Sequence, residues 1–235
     1  MNMLVGLENN LEGRSLAWAL EHPGCFAYGA QSAAALSVMQ FAIQSYQRWI
    51  ADHNPGGSWL EGDVSQSNEL QVAGTWEVYS IDDNLDPNPE GDYEVNAWFM
   101  HDWKPLTALD LHHAQKLLDW SRWDLLDSVA GLDVQDLDAD HPGERWSIAG
   151  ILKHIAGAEW WYLDRLDLAF PRDQVVDEPF SRLAQVRAHL QEVLPSLEGS
   201  GQVVGRHGEL WSPRKLVRRL LWHERDHTFH ILKLR

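Results

Sequence analysis

The chain carries the run His223-Glu224-Arg225-Asp226-His227-Thr228-Phe229-His230 near its end. On an α-helix, residues four apart lie on one face, roughly 5–6 Å between Cβ atoms, so His223 and His227 can converge on one ion. His230 extends that face, and Leu216 and Leu220 continue it toward the N-terminus as an inward apolar stripe. Neutral imidazoles on a buried stripe are costly without partners, and a metal removes that cost. The pair also has a plainer reading, as solvated histidines favourable against the helix's C-terminal dipole. A third ligand tips the balance. His154, within Ile151-Leu152-Lys153-His154-Ile155-Ala156 and above Ala158, Trp161 and Tyr162, lies on another apolar helical surface. The expected site is one divalent metal ion held by His154, His223 and His227.

The residues around these histidines carry further readings. His-Glu-Arg-Asp-His matches the H-E-x-x-H pattern of zinc proteases. Such proteases draw a third ligand from downstream, where only eight residues follow His227, and need a sheet edge to hold the peptide. The second half shows no clear strand, so a zinc hydrolase is a minor alternative. Arg214, Lys215, Arg218 and Arg219 begin the same helix. Arg219, one turn before His223, is placed to draw an anionic substrate; the competing role is pairing with the acidic first half. Glu159 and Glu224 are candidates to orient the ligands, with exposed salt-bridging the simpler role for Glu224. Trp161 and Trp222 either wall a pocket or belong to the core.

Helices must position these groups, and the second half supplies them. Thr107 begins one that reaches about Val129, with apolar positions at Leu111, Ala114, Leu117, Leu118, Trp120 and Leu125. Ser147 caps a second, to about Leu168; Ser181 begins a third, ending near Pro195. Ser212-Pro213, a capping residue directly before proline, starts the last, 213–234. Four such helices predict an up-and-down bundle with some long connections. The first half predicts mixed β and α structure. Apolar runs at 2–8 and 14–21 flank the turn Asn9–Gly13, and Pro23-Gly24 breaks the chain before Cys25-Phe26-Ala27-Tyr28. Ser32 caps a helix to about His53, with Leu36, Met39, Ile43, Tyr46 and Ile50 at steps of three and four. A loop near 54–57, a strand at 71–80 and a flexible loop at 82–92 follow. The fold class is thus an α+β N-terminal domain, 1–95, followed by an all-α bundle, 105–235.

The bulk composition narrows the partners. A net charge of −16 excludes clustered-cation binding of nucleic acid or an anionic membrane. The charge is uneven: residues 1–104 hold 3 basic and 15 acidic residues, whereas residues 206–235 hold 8 and 3. The single cysteine, Cys25, excludes an intrachain disulfide and Cys-rich zinc sites, and a reducing cytoplasmic setting is the simplest reading. The N-terminus lacks a basic, then apolar, signal-peptide pattern, and no apolar run is long enough for a membrane span. The 13 tryptophans predict large rings filling gaps between helices.

Two resemblances rest on these motifs. Gly143-Glu144-Arg145-Trp146-Ser147-Ile148-Ala149-Gly150-Ile151-Leu152-Lys153-His154 resembles the second-helix motif of the DinB-like superfamily, and His223-Glu224-x-x-His227 its final-helix motif. The likeness covers about residues 106–235. It implies an up-down-down-up four-helix bundle with a three-histidine site for zinc or nickel, the ligands being His154, His223 and His227. His230 stands where many relatives carry Gln, and a fourth ligand, a proton carrier or a support for the ligands are all open for it. Some DinB-like enzymes are thiol-dependent transferases or isomerases using glutathione, bacillithiol or mycothiol. The resemblance therefore implies thiol transfer to a small electrophile, with a low-molecular-weight thiol as cofactor; relatives often form homodimers. In the first half, Leu20-Glu21-His22-Pro23-Gly24-Cys25-Phe26-Ala27-Tyr28-Gly29 resembles the strand-turn-strand signature of a HicB-like domain, over about 1–80. HicB-like domains are small α+β modules, some of them antitoxins. A second function class follows: a non-enzymatic regulatory protein, its metal bundle a scaffold that presents the acidic domain to a basic partner.

Overall fold

The computed structural model describes residues 2–55, 69–81 and 93–235. They divide into two compact units, Met1–Lys104 with Gly205–Trp211, and Pro105–Val204 with Ser212–Arg235.

In the first unit, β1 (Asn2–Leu11), β2 (Arg14–Ala19), β3 (Phe26–Gly29) and β4 (Glu69–Glu77) form a sheet of order β3-β2-β1-β4. β1 pairs antiparallel with β2 and parallel with β4, so it is central. Helix α1 (Ser32–His53) lies between β3 and β4 in sequence and buries Ala35, Met39, Ile43, Tyr46 and Ile50. Gly6 leaves room for the Phe99 ring, because a Cβ there would come within 2.6 Å of it. The expected cap at Ser32 is not seen: Gln31 occupies the cap position, and the Ser32 hydroxyl donates to Asn9 Oδ1 at 2.7 Å. The strand expected at 71–80 is two strands, β4 and then β5 (Tyr79–Ile81), and β5 pairs antiparallel with β6 (Tyr93–Val95) in a separate two-stranded sheet. The Gly56-Gly57 part of the first expected loop, and the loop at 82–92, lie outside the described residues.

The second half holds strands after all. β7 (Val204–Arg206) and β8 (Glu209–Trp211) pair around His207 and Gly208, whose φ values are 48° and 76°. Positive φ at both central residues is the geometry of a tight hairpin. Three-residue strands give no legible period, so the hairpin is invisible to pattern reading.

The helical unit contains α2 (Ala108–Ser128), a short α3 (Val134–Asp138), α4 (Ile148–Asp164), α5 (Pro179–Val193) and α6 (Pro213–Leu234). The starts follow side-chain chemistry. Thr107 and Asp110 form a reciprocal capping box, Ser147 accepts from Gly150 N–H, and Ser212 accepts from Lys215 N–H. α5 begins two residues before the expected Ser181, because Glu178 accepts from the Phe180 and Ser181 amides and Pro179 sits at the first turn. α4 stops at Asp164, before the expected Leu168; Asp167 has φ 59° just beyond it.

Side-chain pairs give the directions of these helices. Asp110–Arg214, Arg122–Glu224 and Ser128–Arg235 run in step, so α2 and α6 are parallel. His154–His227 and Tyr162–His223 run in opposite order, so α4 and α6 are antiparallel. Leu118–Arg187 and Arg122–Leu183 place α5 antiparallel to α2. The core between them is aliphatic, with Leu118, Leu125, Ile151, Leu152, Ile155, Val186, Leu190 and Leu216 all buried.

Candidate metal centre

α6 and α4 bring three imidazoles together. The ring centroids of His154 and His223 are 4.8 Å apart, those of His154 and His227 5.0 Å, and those of His223 and His227 4.5 Å. One ring nitrogen from each lies within 4.8 Å of the others, and His223 Nε2 is 3.0 Å from His154 Nε2. Nitrogens bound to one tetrahedral zinc stand roughly 3.3 Å apart, so the closest pair is already near that span.

The electrostatics disfavour charge on the two histidines of α6. Burial, then the neighbouring His227 and His154 and the charge of Arg219, hold His223 well below the ordinary histidine value. Burial, then His154 and His230, push His227 down to about 3. A neutral imidazole carries one bare lone pair, and His227 Nδ1 is buried without a hydrogen-bond partner among the described residues. The donor set is three imidazoles gathered at one point, one of whose rings carries that unpartnered nitrogen. These residues fit a borderline cation such as zinc or nickel.

The loop before α4 explains the Arg-Trp-Ser motif. Trp146 stacks on the His154 ring at 4.4 Å and 25°, and the Arg145 guanidinium lies 4.7 Å over the other ring system of that stack, Trp146. Gly150 makes the stack sterically allowed, since a Cβ there would come within 2.9 Å of Trp146 Cβ. The indole therefore fixes the His154 ring plane. His230 stands apart from the three-histidine group: its Nε2 is 2.9 Å from Glu144 Oε2 in the same loop, and its ring centroid is 6.0 Å from His227.

Arg219 is 6% exposed and lies 4.4 Å over the Trp222 ring and 5.6 Å over that of Tyr162. Trp222 is buried, whereas Trp161 is half-buried and lines a cavity described below.

Glu224 and Glu159 are not exposed and do not support the histidines. They are 2% and 3% exposed and belong to a closed set of charges with Arg122 and Arg187, one residue from each of α6, α4, α2 and α5. Arg187 donates to both Glu159 oxygens at 3.0 and 2.9 Å and to both Glu224 oxygens at 3.1 and 3.0 Å. Arg122 donates to Glu224 at 2.8 Å and Glu159 at 3.1 Å. Burial alone would raise the Glu224 pKa, but the two guanidiniums hold it below the usual carboxylate value. Burial likewise opposes the charge on Arg187, and the two carboxylates overcome it. A protease with this motif would need the Glu224 carboxylate free as a base, and here it is fully committed. The two arginines were missed at the level of sequence, although both fall on buried helical stripes, Arg122 between Leu118 and Leu125 and Arg187 between Leu183 and Leu190.

The structure thus defines a helical bundle that brings three histidines to one point. Residues 117–231 match the family model of the DinB superfamily, so the helical half is similar to that family. No curated protein and no solved structure matches the chain.

Proposed function

We propose that the helical unit binds one zinc or nickel ion through His154, His223 and His227, and that the protein is a metal-dependent enzyme joining a low-molecular-weight thiol to a small electrophile. The observation that carries this reading is the donor set itself. Among the described residues the cluster contains three histidines and no carboxylate or thiolate, and three protein ligands are the pattern of a zinc site that keeps a position for an exogenous group. The DinB superfamily is metal-binding in general, which supports the same ligands. The parallel and antiparallel pairings of α2, α4, α5 and α6 support an up-down-down-up four-helix bundle. A HicB-like reading of the first unit rests on the β2–β3 turn followed by α1.

A bound ion would supply Lewis acidity, which lowers the pKa of a coordinated thiol or water. The chain's own residues do the rest. Trp146 holds the His154 ring in its plane. Tyr162 stands edge-on to His223 at 6.0 Å and, with Trp222, keeps water from that side of the cluster. Arg219 sets a fixed positive charge beside His223 and attracts an anionic substrate group. His230, whose Nε2 is 2.9 Å from Glu144 Oε2, stands at the edge of the site. The partners proposed are a small-molecule substrate and a second copy of the chain; the −16 charge opposes nucleic acid and membrane. No helix is long and apolar enough to cross a membrane among the described residues. A cytoplasmic setting rests on the single cysteine, Cys25.

Cobalt replaces zinc in such sites and reports its ligands by colour. Adding glutathione or 2-mercaptoethanol to the cobalt-loaded protein is expected to produce a thiolate-to-cobalt absorption band. If neither a thiol nor imidazole alters the spectrum, the coordination is closed and the scaffold reading replaces the enzyme.

A further inference from the structure

A second feature of α4 lies one turn beyond His154. A cavity of about 350 Å³ is lined by Gly157, Trp160, Trp161, Arg172, Val175 and Arg182. That volume is at the small end of ligand-binding pockets, which run from roughly 300 to 1,000 Å³.

Its lining departs from the acidity of the chain as a whole. The chain as a whole is at −16, yet this lining holds two guanidiniums and no carboxylate. Arg182 Nε donates to Val176 O at 2.7 Å and one terminal nitrogen to Asp177 at 3.1 Å, which orients the fork and leaves the other terminal nitrogen unspent among the described residues. Arg172 lies over Trp160 at 5.9 Å and makes no ion pair among the described residues. The Trp160 N–H is already given to Phe170 O at 2.9 Å, so this residue offers the cavity its ring rather than its donor.

Gly157, in the lining itself, adds a second observation. Glycine inside a helix costs about 1 kcal/mol relative to alanine. Packing does not require it, because a Cβ at Gly157 would meet nothing within 4 Å. The contrast with Gly150, where a Cβ would strike Trp146, is direct. What glycine preserves at 157 is the empty volume itself.

We infer that this cavity is a binding site for a small organic anion with a planar apolar body, the arylcarboxylate class. The indoles receive the flat body, and the guanidiniums receive the carboxylate through paired N–H donors. Binding of the anion stands without any metal. Its use as the seat of the substrate rests on the proposed metal site: Trp161 lies two turns from His154 on one helical stripe, roughly 10 Å along the axis, so a ligand anchored here extends along α4 toward the histidines.

The test uses the full chain labelled with 5-fluorotryptophan and followed by fluorine NMR, with Trp160→Phe and Trp161→Phe to assign the two resonances. Benzoate is expected to shift those two resonances saturably, and the neutral isostere benzamide to shift neither. Arg172→Ala, at an exposed position, and Gly157→Leu, which fills the cavity while improving helix propensity, are each expected to weaken benzoate at least tenfold. The site is overturned by dissociation constants weaker than roughly 10 mM, by equal affinity for benzamide, or by unchanged benzoate affinity in both variants. His223→Ala separates this inference from the metal reading. Benzoate binding is expected to survive in it unchanged, and its loss there contradicts an independent anion site.

Discussion

Two polar clusters sit side by side on α6, and they are solved in opposite ways. Glu224 enters a set of two carboxylates and two guanidiniums that is charge-balanced and internally bonded across α2, α4, α5 and α6. His223 and His227, its neighbours along the same helix, meet His154 in a set that holds no carboxylate and leaves a buried nitrogen unbonded among the described residues. A buried charge demands its counter-charge from the protein at all times, because an unpaired one is too costly. A buried imidazole can shed its proton and wait. The first cluster therefore reads as architecture that fixes the helices, and the second as a site completed from outside.

The largest expected effect comes from breaking the balanced cluster. Arg187→Met leaves Glu159 and Glu224 sharing Arg122 alone, and urea unfolding is expected to show a loss of about 3–5 kcal/mol. Pairing it with Glu159→Met restores charge balance and is expected to recover a good part of that loss. A single variant no less stable than the parent would remove the distinction between the clusters.

Acid should act on the other cluster. In metal-free protein, folded His227 has a pKa of about 3 against 6.5 for the free side chain. The unfolded chain takes up a proton between those values that the folded chain refuses. Stability from this group is thus intact above about pH 6.5 and falls as the pH drops, by about 2 kcal/mol at pH 5. Comparing urea midpoints of EDTA-treated parent and His227→Gln at pH 7 and pH 5 isolates it: the acid loss is expected to shrink in the variant.

Trp146 sharpens the comparison at the level of orientation. Trp146→Ala removes the ring that holds His154 in plane, and metal affinity is expected to fall about tenfold, within the range known for groups that orient ligands. A competition titration with a chelating dye reads this directly. The smallest effect is at Gly157, where alanine is expected to stabilise the fold by about 0.5–1 kcal/mol, measured by thermal unfolding. Gly150→Ala, which gains the same propensity but meets Trp146, is expected to lose metal affinity instead.

Much of the second unit was legible because its signals are local. Ser212-Pro213 marks the start of α6 to the residue, and Thr107 and Ser147 do the same for α2 and α4. The three histidines could be singled out because i, i+4 spacing and an apolar stripe are both properties of short sequence. Glu178-Pro179 is an equally good local start signal for α5, two residues ahead of Ser181. The Arg122–Glu159–Arg187–Glu224 set was not legible in the same way. Each member sits on its own helical stripe, but the pairing depends on how four helices register, which no local pattern encodes. The β7–β8 hairpin was hidden for a different reason: its strands are too short for alternation to register.

Metal content of the protein, purified without added metal, bears most directly on the open cluster. One zinc or nickel per chain is expected in the parent and in His230→Ala, with near-complete loss in His154→Ala and in His223→Ala. Protein that folds but carries no metal, or His154→Ala and His223→Ala that keep a full equivalent, would contradict a site shared by these three imidazoles.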